Sequence, residues 1–75
     1  MILTEAISLR IRELCIARNL TADMLIRQAD ASPAAVAMII SGSDRPVMLD
    51  DLRSICDVFG ITMEEFFKCD LFLSF

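Results

Sequence analysis

Residues 19–42 read NLTADMLIRQADASPAAVAMIISG, and this stretch decides the fold. Thr21 is a good helix N-cap, because its hydroxyl accepts a hydrogen bond from a free backbone N–H in the first turn. Leu20 before it and Leu25 four residues after it match a hydrophobic staple. This predicts a helix over residues 21–30. A second start follows at once. Ser32 suits an N-cap and Pro33 suits the first helical position, where a missing N–H costs nothing. Val36, Ile39 and Ile40 continue at helical spacing, and Gly42 favours a left-handed stop. The second helix is predicted over 32–41. Only a few residues around Asp30 and Ala31 join the two.

Working outward, the same punctuation recurs. Ile7, Ile11, Leu14 and Cys15 mark the buried stripe of a helix over 4–18. After the polar turn Ser43-Asp44-Arg45-Pro46, Leu49, Leu52, Ile55, Cys56 and Phe59 mark a helix over 49–59, ended by Gly60. Thr62 and Glu65 form a capping box, with Ile61 and Phe66 as its staple, opening a helix over 62–69. Residues 70–75 form an apolar tail with nothing left in sequence to pack beneath. No stretch alternates with period two. The expectation is a single all-α domain over 1–75, a compact cluster of five helices.

Composition narrows the function. The 75 residues are 56% hydrophobic, above the usual share. That points to a dense core together with an apolar face buried on another subunit. The longest dense apolar stretch, 34–40, is far short of the ~20 residues of a membrane span, and the first residues lack the basic start of a signal peptide. Cys15, Cys56 and Cys69 are odd in number and lie in apolar helical patterns, so they read as reduced core thiols of a cytoplasmic protein. With no histidine and no cysteines at ligand spacing, neither a metal nor a cofactor is expected. No nucleophile has a visible base, there is no glycine-rich phosphate loop, and a small helical cluster has little room for a small-molecule substrate. The chain does not read as an enzyme.

The net charge is −4, but it is uneven. Residues 1–49 hold five basic and five acidic side chains, whereas residues 50–75 hold two basic and six acidic. A surface facing phosphates therefore belongs in the first two-thirds.

Two helices joined this tightly have the geometry of a helix-turn-helix, whose second helix can enter a major groove. Together with Ile11-Arg12-Glu13-Leu14, Asn19-Leu20-Thr21, Ser32, Val36, Ile39, Gly42, the run from Leu49 through Thr62, and Glu65-Phe66-Phe67, the chain resembles the lambda-repressor-like, Xre/Cro-type family of DNA-binding domains from about Ile7 to Phe67. The resemblance implies five helices, binding to operator-like double-stranded DNA, and a homodimer. Departures from the family pattern are specific. Ala22 stands where the family has a glutamine, Ile26 where it has a small residue, and Asp30 where it has glycine. Aspartate tolerates a left-handed turn. Arg10 matches a family arginine, but Ile40 replaces its glutamate partner, which leaves Arg10 for solvent, another acid or a phosphate.

The outer face of the second helix of the motif offers Pro33, Ala34, Ala37 and Met38, with hydroxyls only at Ser32 and Ser41. It has no Arg, Lys, Asn or Gln for bidentate base readout. The remaining DNA candidates are phosphate contacts: Arg10, Arg12, Thr21, Arg27, Ser32, Ser41, Ser43 and Arg45, with the N-termini of both helices of the motif. Ala34, Ala37 and Met38 can touch thymine methyls. Dimer contacts are expected from Phe67, Leu71, Phe72, Leu73 and Phe75. The alternative is a degenerate helix-turn-helix that serves as a protein-interaction or oligomerisation module, favoured by that apolar face and by the net acidity.

Overall fold

A computed structural model describes residues 2–73. The architecture is all-α with five helices: α1 (Leu3–Ala17), α2 (Ala22–Gln28), α3 (Pro33–Ser41), α4 (Leu49–Phe59) and α5 (Met63–Phe67), followed by a 3-10 turn at Asp70–Phe72. Ile7, Ile11, Leu14, Leu25, Val36, Ile39, Leu52, Ile55, Phe59 and Phe66 draw all five helices onto one core. Phe66 is fully buried, and burying such a ring is worth roughly 1.5–3 kcal/mol.

The helix ends follow from local chemistry. At the end of α1, Asn19 takes a left-handed φ of 55°. Its N–H donates to the Ile16 carbonyl and that of Leu20 to the Cys15 carbonyl, at 3.2 and 2.8 Å. This paired closure satisfies carbonyls the helix would leave open, and it turns the chain directly into the Thr21 cap. Gly42 and Gly60 close α3 and α4 with φ of 75° and 70°. Thr62 and Glu65 form the reciprocal capping box of α5.

Three differences from the sequence reading have physical causes. Asp30 is not left-handed, since Asn19 is the sole non-glycine residue with positive φ among the described residues. The turn opens instead with Ala29 extended at φ −69°, ψ 136°, and the Ser54 hydroxyl of α4 bridges the Asp30 and Asp50 carbonyls at 3.0 and 3.1 Å. A bond from a neighbouring helix thus holds a turn that lacks the family's glycine. Next, α5 stops at Phe67, two residues before the expected end, because Lys68 (φ −83°, ψ 75°) leaves helical geometry. Last, the segment after α5 does find something to pack beneath. The 3-10 turn lies against α1, and Phe72 meets Phe67 edge-on, ring centres 4.9 Å apart, and Phe66 at 6.1 Å.

Candidate nucleic-acid interface

The two helices of the motif are held by complementary devices. Thr21 accepts from the Met24 N–H at 3.1 Å and Ser32 from the Ala35 N–H at 3.0 Å, so each hydroxyl caps its own helix. The inner side of α3 seats Val36 and Ile39 in the core. The buried Ser8 hydroxyl of α1 donates to the Ile40 carbonyl at its far end. This contact ties α1 to α3 where the family's arginine–glutamate pair is missing. It also explains the fit at Gly42, where an added Cβ would lie 3.4 Å from the Ser8 Cβ.

The outer side of α3 stays uncovered. Ser32, Pro33, Ala34, Ala37 and Ser41 are exposed, and Met38 is half-buried. Ser41 turns its hydroxyl back onto the Met38 carbonyl at 2.7 Å. Ser43 accepts from the Arg45 N–H at 3.3 Å. Arg27 at the end of α2 and Arg45 in the following loop are exposed. The two helix starts differ electrostatically. Asp23 sits in the first turn of α2 and offsets its partial positive charge, whereas α3 has no acid in its first turn. Among the described residues no three Cys, Asp or Glu groups converge that could hold a metal ion.

Arg10, one of the phosphate candidates, is engaged within the chain. Its Nε donates to the Phe66 carbonyl at 2.8 Å and its Nη2 to the Glu65 carbonyl at 3.1 Å. Glu13 sits 3.6 Å from its remaining nitrogen. The guanidinium therefore closes the end of α5, with three of its five N–H donors turned toward the chain itself. Arg18, which the sequence reading passed over, does the same for α4: its Nε donates to the Phe59 carbonyl at 3.0 Å and its guanidinium lies 5.6 Å from the Phe59 ring centre. Arg12 is exposed on the outer face of α1. Among the dimer candidates, Phe67 and Phe72 pack inward on Phe66, Leu71 is half-buried and Leu73 is exposed; Phe75 lies outside the described residues.

A family model described as the Cro/C1-type helix-turn-helix DNA-binding domain matches residues 10–70. The chain belongs to that family. The match takes in the whole motif, α4 and α5, so the family supplies DNA binding as the general function of this fold. Comparison with curated proteins and with solved structures returned no significant match. Among the described residues no helix is long and apolar enough to cross a membrane.

Proposed function

We propose that the chain is a transcriptional regulator that binds operator-like duplex DNA as a homodimer, with two copies of α3 entering successive major grooves about one helical turn apart. The observation that carries this reading is the outer face of α3. Its capped start bears no acid, and Ser32, Pro33, Ala34 and Ala37 are exposed beyond the reach of the chain's other helices. A recognition helix contacts bases with these N-terminal residues.

Affinity comes mainly from phosphates. Arg27 and Arg45 are exposed on the motif and the loop after it, and with Thr21, Ser32 and Ser43 they supply the phosphate contacts of this reading. Phosphate contacts position the protein without reading sequence. Without an amide or guanidinium on α3, discrimination rests on apolar contact of Ala34, Ala37 and Met38 with thymine methyls, which carries less information than a bidentate pair. The reading calls for no catalytic step and no cofactor.

A second reading has one specific observation in its favour: the same α3 face is apolar, as a protein-binding surface would be. Anisotropy titration of a labelled duplex at several salt concentrations decides between them. Four arginines in a dimer give a log K against log salt slope of about −3.6 if each meets a phosphate. Absence of binding at low salt overturns the DNA reading and leaves the protein-interaction one.

A further inference from the structure

The outer face of α1 carries apolar residues every seven positions. Ile2 at the cap, Leu9 and Ile16 are 48, 38 and 81% exposed. Residues seven apart drift by only about 20° around a helix, so the three form a stripe along a fifteen-residue rod about 22 Å long. Two grooves flank it. One of about 190 Å³ lies between Leu9, Arg12 and the Ser41–Gly42 end of α3. The other, of about 370 Å³, is walled by Arg12, Ile16, Ala22 and Ile40.

Charge is arranged around the centre of the stripe. Glu5 precedes Leu9 by four residues and Arg12 follows it by three. At 100° per residue they turn about 40° and 60° to the same edge. Both are exposed. Arg10–Glu13 is the ion pair found among the described residues, so neither Glu5 nor Arg12 has an opposite charge at bridging distance there.

This pattern is self-complementary under a two-fold rotation through Leu9. The rotation sets two α1 helices antiparallel and keeps each charged edge on the same side of the contact. Leu9 then meets the partner's Leu9, and Ile2 meets the partner's Ile16. Glu5 comes level, within about one residue's rise, with the partner's Arg12. A parallel two-fold would put the two charged edges on opposite sides of the contact, where Glu5 and Arg12 could not pair.

We propose that a second copy of this chain docks on the outer face of α1 in this antiparallel arrangement. The proposal rests on the homodimer part of the reading above and is independent of its DNA part. Neither groove is walled by Ser32, Pro33, Ala34 or Ala37, so the contact on α1 does not draw on the start of α3.

Sedimentation equilibrium of the whole chain without DNA tests it, with circular dichroism to verify that each variant keeps its helices. The wild-type chain should dimerise. Ile16→Glu, Glu5→Arg and Arg12→Glu should each weaken self-association roughly tenfold or more, since burying one charge or opposing like charges costs on the order of kilocalories. The double reversal Glu5→Arg with Arg12→Glu should restore most of the loss, a result that general surface damage would not produce. A monomeric wild-type chain, a double reversal no better than either single change, or dissociation by Leu73→Glu with the α1 variants unaffected would overturn the proposal. A monomer that still binds duplex DNA overturns this proposal alone, and a dimer that binds none overturns the DNA reading alone.

Discussion

Arg10 of α1 donates through Nε to the carbonyl of Phe66, 56 positions further along the chain, at 2.8 Å. The last carbonyls of a short helix have no partners within it, and α5 has five residues. A charged donor from α1 therefore ends α5 and fixes the position of Phe66 in the core. Arg18 repeats the device on Phe59 at the end of α4.

These bonds give Arg10 a role in stability. Arg10→Ala should destabilise the fold by about 2 kcal/mol, the range for charged hydrogen bonds that are partly exposed. DNA affinity, measured where the variant is folded, should stay unchanged. Urea unfolding read beside an anisotropy titration checks both; a loss of affinity with stability intact would keep Arg10 in the phosphate set.

The capping box gives a pH dependence with a definite sign. Hydrogen bonds from the Thr62 backbone N–H and side chain hold the Glu65 carboxyl below its ordinary value of 4.5. A depressed folded value means that the box's contribution is fully present above the unfolded pKa and is lost as pH falls through the folded one. Acid titration of stability should show this loss in wild type and not in Glu65→Gln, whose amide still accepts the bond. An unchanged acid limb in the variant would exclude the assignment.

At the start of α4 the cap is missing. Met48 has capping geometry (φ −75°, ψ 133°) but supplies no side-chain bond, and it is exposed. Met48→Ser should therefore stabilise the protein by about 1 kcal/mol, seen as a rise in the urea midpoint. A neutral or lower midpoint would show that Met48 has a packing role.

The thiols should separate by burial. Cys15 and Cys56 are buried, and Cys69 is half-exposed with its Sγ 3.8 Å from the Glu13 carboxylate. Burial, reinforced by the charge of Asp57, pushes Cys56 up to about 11. Iodoacetamide on native protein should label Cys69 first. Because the folded value is raised, the Cys56 contribution to stability is complete below about 9 and fades as pH rises toward about 11. Equal labelling of all three cysteines in the native state would contradict the packing.

What the sequence revealed and what it hid divide along one physical line. Signals carried within four residues were readable: Thr21, Ser32-Pro33, Gly42, Gly60 and the Thr62–Glu65 box all act locally, and all occur in the structure where their chemistry places them. Contacts made across the fold were not. Nothing near Arg10 or Arg18 in sequence specifies a carbonyl 56 or 41 positions away. Nothing near Asp30 specifies that Ser54 would hold its turn. The tail misled for the same reason: Phe72 reads as an orphan until the 3-10 turn brings it onto Phe66 and Phe67. The candidate site was half legible. The apolar outer face of α3 follows from helical periodicity alone, but the bonds of Arg10 to the end of α5 required coordinates.

Asp23 gives a further handle on the interface. It opposes any anion at the start of α2. Asp23→Asn should tighten duplex binding by roughly two- to fivefold, the equivalent of about 0.3–1 kcal/mol of helix-end charge, while costing the free protein a similar fraction of stability. Weaker binding by this variant would place the phosphate backbone elsewhere.

The most direct test of the DNA-facing role of α3 is amide chemical-shift mapping with a short duplex at low salt. The amides of Ser32, Ala34 and Ala37 should move most, with Thr21, Arg27 and Arg45 following and the α4 amides still. Shifts confined to α4 and α5, or an unchanged spectrum at saturating duplex, would refute it.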